Sequence, residues 1–389
     1  MPGFIDESVA KKVFAGVMIM LTGISARAQT PTEATSSVAT KIETQAPRRK
    51  ADVQWKMDLR GDSFANERDQ AQIVGFGLRG EMRYRLADTL LLKANAGVTM
   101  QSGYAQTRFG DSAPRSGLDL KEAFVQYRPL TFFAVQAGAL NQGQLSLPLL
   151  ISERAFPGVL EKVVVGSKRL GLELRAQQTI PTSTQLSTKT VDAEPSPSFL
   201  SETLLIKTTP FEFLALEAHG THFAFHQLPS QVAMESAPFG NTLDDDGRRF
   251  VYGYQGWAAG GDAKITFVPG FAWGFGGNMI QNLDAPEGFR NAQHLSTRFE
   301  IGLPGDIDLI PKGEVFFAES DVAPAFYNDA GFGHTNRQGW AAELQTVMKT
   351  KNLTFGARYV SADVINASAL QSRQEYILLK LGTLYDSIF

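Results

Sequence analysis

From Val53 onward the chain alternates. Val53, Trp55, Met57 and Leu59 share one parity, and Gln54, Lys56, Asp58 and Arg60 the other. A β-strand turns successive side chains to opposite faces, so a period of two marks a strand with one oily and one wet side. The pattern recurs along the chain. Val74, Phe76, Leu78, Met82 and Tyr84 oppose Arg79, Glu81, Arg83 and Arg85, and Leu90, Leu92, Ala94, Ala96 and Val98 oppose Lys93, Asn95 and Thr99. Leu170, Leu172 and Leu174 oppose Arg169, Glu173 and Arg175, while Leu295, Phe299 and Ile301 oppose Ser296, Arg298 and Glu300. At the far end Ile377, Leu379, Leu381, Thr383, Tyr385 and Phe389 form one face, interrupted by Ser387, with Gln374, Lys380 and Asp386 on the other. The chain reads as all-β.

A soluble sandwich also alternates, its polar face meeting bulk water. Strands of about ten residues, joined by tight turns at one end and long loops at the other, are the mark of a membrane barrel. Short turns are expected at 87–89, 128–130, 180–182, 210–212, 268–270, 304–306 and 350–352. Long loops are expected at 62–71, 102–117, 142–166, 192–198, 225–248, 283–290, 320–335 and 363–372. Fifteen connections make sixteen strands, with fourteen as the alternative count. The weakest strand, 182–191, is polar on both faces and is included because it keeps the turn at 210–212 on the correct side. Trp55, Tyr84, Tyr127, Phe271, Trp273, Trp340, Tyr359 and Tyr385 lie near strand ends, as interfacial aromatic girdles do.

Lys11 and Lys12, the apolar run 13–24 and Ala26-Arg27-Ala28 have the form of a secretory signal peptide over residues 1–28. Residues 29–51, rich in Thr, Ser, Ala and Pro, read as a flexible periplasmic tether, and 52–389 as the barrel. The apolar run falls short of the roughly 20 residues a spanning helix needs. Only helices and closed barrels satisfy every backbone group in lipid, so a membrane fold for this chain is a closed antiparallel transmembrane β-barrel. The absence of cysteine excludes disulfide frameworks and thiolate metal sites, and a net charge of −3 gives no case for nucleic acid.

Sixteen strands enclose a lumen wide enough for an aqueous channel. Basic residues outnumber acidic ones on the wet faces, fourteen to nine, most strongly in the early strands. Lys56, Arg60, Arg79, Arg83, Arg85, Arg169 and Arg175 are therefore the candidate pore wall, and charge of one sign concentrates the opposite ion. That reading implies anion preference. The competing one is that these are ordinary water-facing charges, many of them paired.

Three segments carry a resemblance. Leu120 to Tyr127 (LKEAFVQY), Val135 to Gly138 (VQAG) and Ser152 to Pro157 (SERAFP) resemble the porin O/P family of outer-membrane channels, over residues 117 to 158. A strand ending on Phe389 resembles the terminal signature of outer-membrane barrels, although Ser387 stands where a further aromatic is usual. The resemblance implies passive diffusion of small hydrophilic solutes through the outer membrane of a Gram-negative-type bacterium, with some members preferring phosphate. It also implies lipid and lipopolysaccharide around the barrel, recognition of Phe389 by the barrel-assembly machinery, and a homotrimer. The third long loop, 141–166, carries the apolar run 148–151 and is expected to fold inward as the constriction. Glu153 and Arg154 would then be either its charged pair or a salt-bridged anchor.

Other signals point less far. Gly75-Phe76-Gly77-Leu78-Arg79-Gly80 matches G-x-G-x-x-G but sits inside an alternating strand, not between a strand and a helix. His219 and His222 face opposite sides of a strand and cannot share a metal, and Asp244-Asp245-Asp246 suits a solvated turn. No metal or cofactor is expected. His294-Leu295-Ser296 is the basis of an enzyme reading, because outer-membrane phospholipases resemble it in carrying His-x-Ser on a strand. Here the same-face neighbours Arg298 and Glu300 mark the lumen side. A soluble secreted β-sandwich is the third class.

Overall fold

The alternation resolves into sixteen antiparallel strands. These are β1 (Ala51–Asn66), β2 (Gln70–Ala87), β3 (Leu90–Gln106), β4 (Gly117–Leu130), β5 (Phe133–Asn141), β6 (Ala155–Gly166), β7 (Leu170–Thr179) and β8 (Ser198–Phe211). There follow β9 (Leu214–His226), β10 (Tyr254–Val268), β11 (Phe271–Asn282), β12 (Asn291–Leu303), β13 (Ile307–Ala318), β14 (Arg337–Met348), β15 (Leu353–Val364) and β16 (Gln374–Thr383). Each pairs with its successor and β1 pairs with β16, so the sheet closes. The computed structural model describes residues 50–67, 69–106, 116–167, 169–182 and 194–387. The expected signal peptide, almost all of the tether and Phe389 lie outside the described residues.

One expectation fails and another lies mostly outside the described residues, and the barrel has sixteen strands. Residues 155–166, assigned to the third loop, form a full strand whose Val163, Val164 and Val165 run apolar without alternation. The expected strand 182–191 lies mostly outside the described residues, and the barrel closes without it. The third loop is thus 142–154, β7 begins at Leu170 soon after β6 ends at Gly166, and β8 begins only at Ser198, so no short turn at 180–182 joins β7 to the next strand of the sheet. The first long loop also contracts, since β1 and β2 run on to Asn66 and Gln70.

The outer face is apolar. Leu59, Val74, Phe76, Leu78, Val98, Leu174, Leu204, Met279, Leu295, Ile377, Leu379 and Leu381 all remain exposed, a belt that only hydrocarbon or another apolar surface can cover. No helix among the described residues is long and apolar enough to cross a membrane; the barrel crosses with strands. Stacked rings of Phe211 with Phe213 and of Phe267, Phe271, Phe299 and Trp273 gather toward the short-turn end.

One girdle residue is misplaced. β16 stops at Thr383 and pairing resumes only at Asp386–Ser387, with the register to β1 shifted by one residue. The Thr383 hydroxyl accepts the Met57 N–H at 3.0 Å, and Tyr385 turns inward, its hydroxyl 3.5 Å from Asn95 Nδ2. A strand break therefore undoes the alternation expected up to the terminus.

Inside, part of the lumen is filled. Leu145, Leu147, Leu149, Leu150 and Ile151 of the β5–β6 loop, Val232 of helix α1 (Ser230–Ser236) and Val322, Ala323, Phe326, Tyr327 and Phe332 of the β13–β14 loop form one buried cluster. Their partners are inward residues of the wall: Phe156, Phe199, Phe223, Phe225, Ala258, Ile280, Ala292, Phe316, Ala318, Ala341, Val360 and Ala362. Small inward residues make the room these loops occupy. The loops are then tied by their backbones, Ser152 N–H donating to Tyr327 O at 2.8 Å and Asp329 N–H to Pro148 O at 2.9 Å. Gly240, at φ 114°, lets the β9–β10 loop approach, since a Cβ there would sit 2.7 Å from Thr335 O.

Candidate pore and constriction

The pore wall begins with β1, β2 and β3, whose cross-strand rows bring Lys56 opposite Arg79, Arg60 opposite Gly75 and Arg83 opposite Lys93. Basic side chains stacked this closely need counter-charges. Arg60 pairs with Asp62 at 2.5 Å, Arg79 with Asp119 at 2.5 Å, Arg83 with Glu81 at 2.7 Å, and Arg175 with Glu173 at 2.5 Å. Four of the seven candidate wall residues are thus ion-paired. Lys56 lies 4.7 Å from the Tyr385 ring, Arg169 sits immediately before β7, and Arg85 keeps a buried Nη1 with no partner among the described residues.

Parity counting missed several of the charges that matter. β4 carries a bulge: Asn95 pairs with Glu122 and Ala96 with Leu120, leaving Lys121 as the extra residue. Consecutive residues that would otherwise face opposite sides both reach lumen partners, Glu122 to Lys93 at 2.5 Å and Lys121 to Glu153. Asp62, Asp119 and Glu122 join the acidic side, but Lys121 and Lys162 join the basic side, so the basic surplus expected of the lumen changes little. The lysine-glutamate-alanine motif of 121–123 was the only sequence signal near this site.

The loop 142–154 places Glu153 and Arg154 in opposite environments. Glu153 projects into the open lumen, its side chain 65% exposed, and accepts from Lys121. That hydrogen bond, together with the charges of Lys121, Arg79 and Lys56, holds its carboxyl below the usual range. Arg154 turns the other way. Its guanidinium lies 4.8 Å from the Phe326 ring and 5.8 Å from Tyr327, and its Nε donates to Ser152 Oγ at 3.2 Å. Arg154 is an anchor between two loops; Glu153 alone faces the basic wall.

The β13–β14 loop is the hub of the plug. Asp321 accepts from Thr242 N at 2.9 Å and Thr242 Oγ1 at 2.7 Å, and Asn241 Nδ2 donates to Ser320 O and Ala323 O at 2.6 and 2.9 Å. Asn282 Nδ2 reaches Asp321 O at 2.7 Å from the end of β11. Phe239 stacks on His334, whose Nδ1 donates to Ala325 O at 2.9 Å. Burial lowers the His334 pKa to about 3, with Arg154 and Arg337 acting in the same direction.

The remaining candidates fall where parity put them. His219 faces inward, and His222 faces outward beside Trp257, 3.8 Å from Glu202. His294 and Ser296 face the lumen, so the pair is not presented to lipid. His294 Nε2 is 3.0 Å from Glu314, which also binds Lys312 at 2.8 Å and Arg358 at 3.1 Å, and Phe332 covers the imidazole. No cluster of potential metal ligands forms among the described residues.

No family model matches the sequence, and no curated protein sequence matches it either. The likeness is in shape. OprB of Pseudomonas putida, in a high-pH structure, aligns over 86% of this chain and 93% of its own, with a TM-score of 0.56 and 12% identity. A loop L8 deletion mutant of OmpT, an outer membrane protein of Vibrio cholerae, aligns over 87% of this chain and 100% of its own, with a TM-score of 0.50 and 12% identity. Salmonella typhi OmpF, in complex with daunomycin, aligns over 85% and 97%, with a TM-score of 0.50 and 8% identity. At such identities the likeness is one of architecture: this chain has the membrane-spanning barrel fold of the outer-membrane porins.

Proposed function

We propose that the protein is an outer-membrane diffusion porin, passing small hydrophilic solutes and ions passively across the outer membrane of a Gram-negative-type bacterium. One observation carries the reading: the barrel is closed and apolar outside, and its inner wall along β1–β4 and β16 keeps water-exposed charges that the plug does not cover. Arg60 and Arg83 have side chains 44% and 54% exposed on that inner face, and Lys207 of β8 is 49% exposed on the lumen side near the short-turn end. A lumen filled with side chains could not hydrate them.

A weak anion preference belongs to this proposal, carried less by the arginines, which are mostly paired, than by Lys56 and Lys380, which lack carboxylate partners among the described residues. The porin O/P resemblance and a phosphate substrate rest on residues 117–158 alone. Assembly as a homotrimer in lipid and lipopolysaccharide draws support from Glu161. This exposed residue sits halfway along β6 on the outward row between Val135 and Ala176, with no ion-pair partner among the described residues. A charge facing hydrocarbon is costly, and a second subunit would cover it. Recognition of Phe389 by the assembly machinery completes the expectation.

The test is a planar bilayer under a KCl gradient with refolded protein. Stable conductance steps with a reversal potential toward chloride support the reading. A potential toward potassium keeps the porin and removes the anion preference, and no conductance from a folded barrel overturns the porin itself.

A further inference from the structure

The inner wall is hollowed where β1 meets its neighbours. Gly77, Gly356 and Gly382 occupy inward positions on β2, β15 and β16, and Asp58 lies between Gly77 and Gly382 in one cross-strand row. A Cβ at Gly77 would meet the Asp58 carboxylate at 2.8 Å, and one at Gly382 would lie 3.4 Å from Asp58 Cβ and from Thr354 Oγ1. The missing side chains leave a recess of about 300 Å³ lined by Lys56, Asp58, Glu343, Arg358, Lys380 and Tyr385. That is the small end of the ~300–1,000 Å³ range of ligand sites.

The charges of this recess differ from most of those elsewhere in the lumen, where Asp262 of β10 is another inward carboxylate without an ion pair among the described residues. Asp62, Glu81, Asp119, Glu122, Glu153, Glu173, Glu217, Glu300 and Glu314 are each held by a basic side chain. Among the described residues Asp58 and Glu343 form no ion pair, and neither Lys56 nor Lys380 has a carboxylate within ion-pair distance, although Lys56 lies within the field of Asp58. Lys56 rests on the Tyr385 ring, which the break after Thr383 turned inward. Arg358 forms an ion pair with Glu314 at 3.1 Å, while its buried Nε makes no hydrogen bond among the described residues. One recess therefore presents two ammonium groups and two carboxylates that the fold holds without pairing them.

A solute with a single charge would satisfy half of such a site and leave the other half unmatched. A solute bearing both signs on a short frame satisfies both, through charge-assisted hydrogen bonds in a space partly shielded from water. We propose that the recess is a transient binding step for zwitterionic solutes of the α-amino-acid class. The solute carboxylate binds Lys56 and Lys380, and its ammonium binds Asp58 and Glu343. This deepens the porin reading and rests on it.

The experiment reads solute-induced blockade of the open current in KCl at pH 7, with full-length refolded protein and L-glutamine, acetate and methylammonium as probes. L-glutamine is expected to block saturably, and each single-charge probe about tenfold more weakly, the loss of one charged contact. The double variant Asp58→Asn/Glu343→Gln, and separately Lys56→Gln/Lys380→Gln, should lose the L-glutamine blockade relative to each variant's own open current. Barrel folding is checked by heat-modifiable electrophoretic mobility. Blockade by acetate as strong as by L-glutamine overturns the proposal in favour of a simple anion site. Undiminished L-glutamine blockade in both variants, or none in the parent, overturns it outright. A folded barrel with no KCl conductance sinks the porin reading instead, and the recess is then judged by calorimetric titration of L-glutamine, where no heat of binding rejects it.

Discussion

The two sides of the lumen obey different rules. Along β1–β4 and β16 the inward positions carry Lys56, Arg60, Arg79, Arg83, Lys93, Glu122 and Lys380, which face water. Along β8–β15, toward the long-loop end, they carry Phe199, Phe223, Phe225, Ala258, Ile280, Ala292, Phe316, Ala341 and Val360, which are buried under the plug. Alternation means that inward is wet only where nothing folds inward. The long-loop end of β8–β15 is given to a hydrophobic core, while the short-turn end of the same strands stays charged, and that core decides where the remaining channel runs.

The plug is the feature whose loss should matter most. Tyr327 is fully buried, with its ring centroid 5.3 Å from Phe156, 5.3 Å from Phe326 and 6.0 Å from Phe225. Tyr327→Ala removes an aromatic side chain from a packed core, at a local cost of ~3–5 kcal/mol. The barrel closes without it, so the expected outcome is a folded protein whose single-channel conductance rises and becomes noisy. Unchanged conductance would mean that the apolar wall and its loops do not restrict the pore.

Acid should loosen the same half more gently. His334 has its pKa lowered to about 3 by burial, whereas an unfolded histidine titrates near 6.5. The folded loop therefore binds fewer protons than the unfolded one. Its stability is full above pH 6.5 and falls as pH drops from there toward 3. Openings of the plugged side should grow more frequent between pH 6.5 and 4, and His334→Phe, which keeps the stacking on Phe239, should remove that dependence. Equal pH dependence in the variant would assign the effect elsewhere.

The charged half was largely legible in the sequence and the plugged half was not. Parity alone placed Lys56, Arg79 and Glu81 on the lumen side, because backbone geometry enforces it. Within the apolar run at 148–151, Leu149, Leu150 and Ile151 are buried against wall residues such as Phe156 and Phe199. The hub at 319–336, by contrast, reads as a long loop of small residues, since Asn241, Asp321 and Asn282 act through backbone groups distant in the chain. Three local faults also escaped periodicity: the bulge at Lys121, the break before Asp386, and β6, whose triple valine hides its phase. The expected sixteen strands include 182–191, whereas the sixteen that close the barrel include β6.

On the charged side, Glu153→Gln should have a moderate effect. The carboxylate faces Lys121 and lies within the field of Arg79 and Lys56. Removing one negative charge beside that basic wall should shift the chloride-to-potassium permeability ratio upward by roughly twofold. Acid should mimic the substitution, with a defined threshold. Because Lys121 holds the carboxyl below its usual 4.5, the pair persists above that range and is lost only as pH falls through the lowered value. Selectivity should therefore stay flat from pH 7 to 4.5 and move toward chloride below it. A shift beginning near pH 6 would contradict the pairing.

The smallest effect is expected at Arg83, although charge counting alone would rank it beside Arg79. Its guanidinium is 2.7 Å from Glu81, but the side chain is 54% exposed, and Glu81 also lies 3.8 Å from Lys93. An exposed pair of this kind contributes about 0–1 kcal/mol, and its two charges largely cancel at the distance of a passing ion. Arg83→Gln should leave folding, conductance and reversal potential nearly unchanged, while Lys380→Gln, which removes a cation with no carboxylate beside it, moves the reversal potential toward potassium. If Arg83→Gln moves it as far as Lys380→Gln does, the pairing seen here does not govern the pore, and the basic residues act as a summed field, as their count in the sequence suggested.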